Sequence, residues 1–224
     1  MRLSVVIPAR NEAAALPALL ADLAPLRAAG GEVIVVDGGS VDGTPDRART
    51  GADRVLTADG GRAGQMAAGV AAARGDLLWF LHADTRLPAG AEAALRAAVA
   101  AGRRWGRFDV RLSGRRPIFR VIAALMNRRS CLTGIATGDQ GIFVTRSVFE
   151  AVGGWSALPL MEDVELSRRL RRRVGWPACL RPALTTASRR WEEGGVVRTI
   201  LLMWGLRLAF FLGVPARVLA RWYR

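Results

Sequence analysis

The segment "FLHADTRLP" (residues 80–88) ends an apolar run with a histidine and a carboxylate. Asp84 offers hard oxygen atoms of the kind that divalent cations prefer, and a cation bound there could also hold a diphosphate. The ordinary alternative for Asp84 is a turn, or a cap on the helix that begins near Pro88. His82 is the only histidine of the chain. It is a candidate metal ligand or supporting group, although we favour a ring that is satisfied by the local backbone.

Asp37 stands in a similar position, in the run "EVIVVDGG" (32–39). Its carboxylate is suited to accept hydrogen bonds from a ribose hydroxyl or a base N–H, and Gly38 and Gly39 let a ligand approach the backbone. Asp-Gly is also a common turn sequence whatever the function, so this segment alone leaves both interpretations open. A third polar segment, Ala9 to Glu12, follows the first apolar run.

The apolar runs ahead of these segments predict strands, and the stretches between them predict helices. Short β-branched runs are typical of strands that are buried on both faces of a parallel sheet. The predicted strands span 3–9, 32–39, 54–58 and 76–83, and the predicted helices span 12–29, a short piece from 45, 62–74 and 89–101. This alternation predicts an α/β fold with a mostly parallel sheet. Ligands of such sheets lie beyond the carboxyl ends of the strands, so the three polar segments should meet there.

The pattern changes after Gly102. "GRRWGRFDVRLSG" (102–114) predicts a polar strand of the kind found at a sheet edge, and an apolar helix follows over 117–128. "GDQGIFVTRSVFEAVGGW" (138–155) predicts a strand, a short helix and a Gly-Gly turn. In "LMEDVELSRRLRRRV" (160–174), acids fill the first turn of a helix and arginines fill its last, as the helix dipole favours.

The composition limits the chemistry and the partners. The formal net charge is +14, and all 33 basic residues are arginines. Without lysine there is no Schiff-base chemistry and no phosphate-loop lysine. The positive charge favours nucleotide phosphates or an anionic membrane surface; no nucleic-acid partner is expected.

The cysteines and the first residues bear on location. Cys131 and Cys179 lie far apart without metal-site spacing, which favours a reducing compartment and argues against a disulfide scaffold. The first apolar run, 3–7, is too short for a secretion signal. We therefore expect a cytoplasmic location.

The last stretch, 199–214, is strongly apolar, but Arg207 interrupts it. Four aromatic residues are suited to anchor such a stretch at a membrane interface: Trp191, Trp204, Trp222 and Tyr223. We favour peripheral contact with the inner face of an anionic membrane. A helix that packs on the domain, or at a homodimer interface, accounts for the apolar residues equally well.

Five motifs together resemble the family 2 glycosyltransferases, and most of all short bacterial members with a "GDQGIFV" segment. The motifs are "VVIPARNEA" (5–13), "VVDGGSVDGT" (35–44), "GRAGQMAAG" (61–69), "FLHADTRLP" (80–88) and "MEDVEL" (161–166). The resemblance covers about residues 3–172. It implies a GT-A fold, a nucleotide-sugar donor such as a UDP-sugar, a divalent metal (Mn²⁺ or Mg²⁺) and inversion at the anomeric carbon. The corresponding domain is 1–180, with a nucleotide-binding half (1–101) and an acceptor half (102–180), before an apolar and basic helical tail (181–224).

The same resemblance implies roles for residues of the nucleotide-binding half. Those that would hold the nucleoside are Pro8, Ala9, Arg10, Asn11, Glu12 and Asp37. Arg62 matches the basic residue that reaches the nucleotide. Asp84 matches the metal-binding carboxylate of the family's Asp-x-Asp element, whose first position is His82 here, which leaves the usual extra carboxylate contact in doubt.

In the acceptor half, Asp163 of the Glu162-Asp163 pair matches the family's catalytic base. The alternative is an acid that only stabilises the start of its helix. The residues that would contact the donor sugar or the acceptor are Gly138, Asp139, Gln140 and Glu162.

The predicted function is therefore inverting, metal-dependent sugar transfer to a small-molecule or lipid-like hydroxyl. One rival is a nucleotide-binding or membrane-associated module without catalysis, suggested by His82. Another is a sugar nucleotidyltransferase, which would require a glycine- and lysine-rich phosphate loop near the first strand. The segment "IPARNEA" is not such a loop.

Overall fold

The computed structural model describes residues 1–223, and within that range a seven-stranded sheet forms the centre of the molecule. The strands are β1 (Leu3–Ala9), β2 (Glu32–Asp37), β3 (Arg54–Thr57), β4 (Leu77–Phe80), β5 (Trp105–Leu112), β6 (Phe143–Thr145) and β7 (Ala178–Thr186). Their order across the sheet is β3-β2-β1-β4-β6-β5-β7, and β6 alone runs against the others. The predicted mostly parallel α/β sheet is confirmed.

Helices cover both faces of the sheet. They are α1 (Leu16–Ala28), α2 (Thr44–Arg49), α3 (Gly61–Ala72), α4 (Ala91–Ala100), α5 (Pro117–Thr133), α6 (Arg146–Ala151), α7 (Glu162–Val174), α8 (Arg189–Gly194), α9 (Val196–Phe211) and α10 (Ala216–Trp222), with a 3₁₀ turn at Gly138–Gln140. The predicted helix over 12–29 begins at Leu16 in the structure. The residues ahead of it therefore form a loop beyond the end of β1.

The core lies in two layers, one on each face of the sheet. Leu19 of α1 and Leu95 of α4 pack with Trp79 and Phe108 on one face. Met66 of α3 and Leu166 of α7 pack with Phe80 on the other. All residues of β1 and β2 are buried, which explains why these strands read as continuous apolar runs. Burying one leucine in this way contributes about 1.5–3 kcal/mol.

Strand β5 is not the edge strand that its polar sequence predicts. It lies between β6 and β7, and Arg107 within it is only 1% exposed. Its guanidinium forms an ion pair with Asp109 and donates a 2.7 Å hydrogen bond to the Asn127 carbonyl. Asp109 and Asn127 thus replace water as partners of this guanidinium, although its buried Nε has no hydrogen-bond partner among residues 1–223. On this side of the sheet the edge strand is β7. Its residues, 178–186, span the domain boundary that the sequence analysis placed after residue 180.

The two cysteines, whose spacing argued against a disulfide scaffold, are paired in this structure. Cys131 at the end of α5 and Cys179 in β7 form a disulfide, with their Cα atoms 6.1 Å apart. Helix α5 packs on β5, and β5 pairs with β7. Separation along the sequence therefore carried no information on the distance between the two thiols.

The C-terminal helices pack on the domain and also leave an apolar ridge uncovered. Leu206 of α9 and Leu219 of α10 are buried against Met161 and Val164. The opposite side of α9 exposes side chains at alternating spacings of four and three: Val197, Leu201, Trp204, Leu208 and Phe211, which we call the α9 ridge. No helix among residues 1–223 has the length and apolarity needed to cross a membrane.

Candidate active site

A pocket with a volume of about 820 Å³ opens at the carboxyl edge of the sheet. Its walls come from the ends of β1, β5 and β7, the loop after β4, and the first residues of α3 and α7. Helices α5, α8 and α9 close the remaining sides. The volume is typical of a site for a small organic ligand. Pocket residues from both halves of the chain meet here, as the topology predicts.

Two loops at one end of the pocket are tied together by side chains. Asn11, with a left-handed φ of 55° that asparagine tolerates, accepts a 3.0 Å hydrogen bond from the Val41 N–H. Thr44 Oγ1 accepts a 2.8 Å bond from the Glu12 N–H. Asn11 itself is exposed and does not line the pocket, whereas Pro8, Ala9, Arg10 and Glu12 do. Asn11 therefore shapes the loop that carries its neighbours.

Gln65 was missed by the sequence analysis, although it lies within one of the motifs. Its amide donates to the carbonyls of Ala9 (2.9 Å) and Val36 (3.1 Å), and so joins the ends of β1 and β2. A Cβ on Gly38 would lie 2.3 Å from this amide nitrogen. The glycine after Asp37 is therefore needed for this contact, and the pairing of "DGG" with "GRAGQ" is the signal that could have revealed it.

Asp37 lies at the predicted sheet edge but outside the lining of the pocket. Its Oδ2 accepts bonds from the N–H groups of Gly39 and Ser40, each 3.0 Å long. Its Oδ1 is buried and has no hydrogen-bond partner among residues 1–223. Oδ2 thus fits the turn interpretation of Asp37, and Oδ1, which lacks a partner, fits the ligand interpretation.

Asp84 faces the pocket without a hydrogen bond from any other residue that the structure describes. Burial raises the pKa of this carboxyl, against the positive charges of Arg189 and Arg62. The negative charge of Asp84 also adds to burial in raising the pKa of Glu12. Two carboxylates whose negative charges repel each other in one pocket suit the binding of a divalent cation. Asp84 would hold that cation. In the described part of the chain no group of three or more acidic, histidine or cysteine residues forms a complete cage, so the remaining ligands would come from the donor and water.

His82 is not satisfied by the local backbone. Its Nε2 is buried without a hydrogen-bond partner in the described part of the chain, and it lines the pocket. Burial, with Arg62 nearby, lowers the pKa of the imidazole well below its ordinary value. The ring therefore stays neutral at neutral pH.

Arg62 links the two halves of the site. It stands at the start of α3, and its guanidinium lies 3.7 Å from the carboxylate of Glu162 in α7. Glu162 is only 4% exposed. Burial and the charge of Asp163 raise its pKa, while Arg62 opposes the shift. Arg189, which the sequence analysis left in the tail, makes a similar link to Glu12 at 3.4 Å.

Asp163 lines the same pocket as Asp84 and stands in the first turn of α7. Its Oδ2 accepts a 2.7 Å bond from the Gly138 N–H, and its Oδ1 accepts a 2.7 Å bond from the Val164 N–H. A Cβ on Gly138 would lie 2.6 Å from His82 Nε2. Glycine is therefore required where the 3₁₀ turn passes between His82 and the base candidate.

The other two residues of the 3₁₀ turn differ in position. Asp139 lines the pocket, and burial is the main cause that raises the pKa of its carboxyl. Gln140 is fully buried outside the pocket, where it donates to Ser130 (2.9 Å) and accepts from the Thr137 N–H (3.2 Å). Gln140 supports the turn, and it does not line the pocket as the prediction of a donor or acceptor contact requires.

Two arginines at the Asp163 end were also missed as site residues. Arg129 of α5 and Arg207 of α9 both line the pocket. Arg207 is the charge that interrupts the apolar run of the tail, and that interruption was the available signal. No feature of the neighbouring sequence distinguishes Arg129 from Arg128.

The chain has recognisable relatives. The model of the family described as "Glycosyl transferase family 2" matches residues 4–152. A beta-monoglucosyldiacylglycerol synthase from Synechocystis sp. is 28% identical over 231 residues, which is 87% of this chain and 48% of the relative. This chain thus spans about half the length of that curated relative.

Solved structures share the fold. A glucosyl-3-phosphoglycerate synthase from Mycobacterium tuberculosis, in complex with Mn²⁺, UDP and glucosyl-3-phosphoglycerate, superimposes with a TM-score of 0.69 at 22% identity, over 96% of this chain and 81% of that one. A mannosyl-3-phosphoglycerate synthase from Rubrobacter xylanophilus gives 0.66 at 18% identity, over 96% and 76%. The GT-A fold is therefore confirmed.

Proposed function

This chain belongs to glycosyl transferase family 2, and from that premise we propose that it transfers a sugar, with inversion, from a UDP-linked donor to an acceptor hydroxyl. One observation carries the proposal: Asp84 and Asp163 face one pocket from its two halves. Asp84 makes no hydrogen bond to another described residue, whereas Asp163 is held by two backbone N–H groups. Such a pair suits a metal-holding carboxylate and a proton acceptor.

The donor belongs at the end of the pocket formed by β1, the loop after β4 and the start of α3. The free N–H groups at the start of α3, with Arg62, suit the negative charge of a diphosphate. A divalent cation held by Asp84 would neutralise charge on the leaving diphosphate. Crystal structures of the mycobacterial relative with UDP contain Mn²⁺ or Mg²⁺, which supports this cofactor.

The acceptor then reaches the sugar from the side of Asp163. As the bond from the anomeric carbon to the diphosphate breaks, the acceptor oxygen forms the new bond to that carbon and its proton passes to an Asp163 oxygen. The N–H groups of Gly138 and Val164 fix the carboxylate in place for that transfer. General-base assistance of this kind is worth about 10²–10⁴-fold in rate.

A thermal-shift assay with UDP tests the donor site. UDP at about 100 times its dissociation constant should stabilise the fold by about 2.7 kcal/mol, which corresponds to about 5–10 °C for a chain of this size. The shift should require Mn²⁺ or Mg²⁺ and should disappear with EDTA. An equal shift with and without metal would contradict the role of the cation, and no shift with any nucleoside diphosphate would contradict the donor class.

We also propose that the α9 ridge contacts an anionic membrane. Its exposed apolar side chains continue to the pocket, because Trp204 of the ridge and the exposed Leu125 and Leu132 of α5 line it. Exposed arginines at 120, 128 and 198 on the same two helices, and Arg116 directly before α5, complement anionic headgroups. The diacylglycerol named for the Synechocystis relative supports a lipid acceptor at this mouth.

Sedimentation with phosphatidylglycerol vesicles checks this surface. Binding should fall with rising salt, because exposed charges are screened. Leu201→Ser with Leu208→Ser should weaken it about tenfold or more, since each leucine loses buried apolar area. Val41→Ser, which changes an exposed apolar residue near the donor loops, is the control and should bind as the wild type does. Absent binding at low salt would refute the proposal, and a dimer that these serines dissociate would instead assign the ridge to a second copy.

A further inference from the structure

Seven arginines line the pocket, and two pairs of them act on different carboxylates. Arg62 and Arg189 act on Asp84 at the donor end, where their positive charges oppose the rise of its pKa. Arg129 and Arg207 act on Asp139 at the other end, beside Asp163. The donor diphosphate accounts for the first pair. Nothing in the proposed donor accounts for the second pair.

One guanidinium nitrogen of Arg129 is covered from solvent and unsatisfied, although the residue as a whole is partly exposed. Its Nη2 is buried and has no hydrogen-bond partner in residues 1–223. Burial and the positive charge of Arg207 lower the pKa of this side chain to about 10. Asp139 and Asp163 are close enough to oppose that shift, but neither forms an ion pair with Arg129 within 4.0 Å in the described part of the chain. A buried donor left unsatisfied in this way is costly to the fold.

Arg207 adds a second charge at the same place. It follows the buried Leu206 in the apolar helix α9, lines the pocket, and forms no ion pair with another described residue. Two like charges that line one pocket and repel each other destabilise the empty site. An anion between them would remove that repulsion and would fill the unsatisfied Nη2, because guanidinium groups bind phosphate and carboxylate in a bidentate way.

We infer that Arg129 and Arg207 bind an anionic group, a phosphate or a carboxylate, on the acceptor. The inference rests on the proposed function, since Asp163 at the same end is the base that takes the proton from the acceptor hydroxyl. Binding the anion at this end positions that hydroxyl near Asp163. The anion belongs either to a soluble phosphorylated or carboxylated alcohol or to a lipid headgroup whose chains leave past Leu125, Leu132 and Trp204.

Calorimetry with the donor site filled isolates this second anion site. The full chain is saturated with UDP and Mn²⁺ and titrated with glycerol 3-phosphate in one arm, and with a short-chain phosphatidylglycerol below its micelle concentration in the other. Arg129→Gln and Arg207→Gln should each weaken binding about tenfold or more, and UDP affinity should stay at its wild-type value. Arg129→Lys should recover only part of the loss, because lysine keeps the charge without the planar fork.

Controls on other helices separate this site from general charge. Arg47→Gln on α2 and Arg172→Gln on α7 remove exposed arginines outside both the pocket and the α9 ridge, and they should leave both titrations unchanged. Without anion, the Arg129→Gln/Arg207→Gln variant should melt at or above the wild-type temperature, whereas loss of a structural pair would lower it.

The outcomes distinguish the sources and the hypotheses. Binding of glycerol 3-phosphate assigns a soluble acceptor, and binding of the lipid alone assigns a headgroup. If UDP-loaded wild type binds neither probe, or if the double variant binds them as well as wild type does, the anion site is refuted. Failure of the proposed function would appear separately, as loss of metal-dependent UDP binding or as an Asp163→Asn variant that still turns over.

Discussion

Asp163→Asn is expected to lower turnover by about 10²–10⁴-fold while the affinities for UDP and Mn²⁺ stay near those of the wild type. The substitution keeps the shape of the side chain and one carbonyl oxygen that can still accept from the Gly138 or Val164 N–H. It removes the group that takes the acceptor proton. Because that proton belongs to the acceptor, binding of the donor should not change. Steady-state rates and calorimetry with UDP measure the two effects separately.

Glu165→Gln is the matched control for this experiment. Glu165 lies on the same helix, outside the pocket, and pairs with Arg169 at 2.5 Å, as the i,i+4 spacing predicts. Its substitution should lower the melting temperature but leave turnover near wild type. An Asp163→Asn enzyme that transfers sugar at close to the wild-type rate would reduce Asp163 to an acid that stabilises its helix, and the base would have to be sought elsewhere.

Asp84→Asn should remove the metal dependence of UDP binding. The neutral amide is a poor ligand for a divalent cation, and even groups that only support metal ligands are worth about 10–100-fold in metal affinity. We therefore expect UDP affinity in the presence of Mn²⁺ to fall about 100-fold or more, to the level that wild type shows with EDTA. Turnover should fall with it. The fold should persist, since no other described residue donates a hydrogen bond to this carboxylate.

Asp46→Asn is the corresponding control, because Asp46 is an exposed carboxylate that pairs only with its helix neighbour Arg49. It should bind UDP as the wild type does, with and without Mn²⁺. Metal-dependent UDP affinity that survives in Asp84→Asn would show that another group holds the cation, and the buried Nε2 of His82 would be the first candidate.

The strands of the nucleotide-binding half could be predicted because their signal is local. β1, β2 and β4 are short, mostly apolar runs that are buried on both faces, and each is followed closely by polar residues of the site. Asp37 and Asp84 could be proposed for the same reason. The local pattern was misleading for β5. Alternating polar residues are expected in a strand at a sheet edge, and the same pattern occurs here in an inner strand that forms hydrogen bonds with Asn127 of α5.

The sequence alone was sufficient for the parallel sheet, the edge at which ligands collect and, through its ordered motifs, the family. These depend on residues that lie next to one another in the chain. Three features emerged only from the three-dimensional fold. They are the Cys131–Cys179 disulfide, the hydrogen bond from the Gly138 N–H to Asp163, and the proximity of Arg129 to Arg207. They arise where α5, α7 and α9 pack around one pocket, and the periodicity of a helix predicts which of its faces is buried without indicating which other helix covers it.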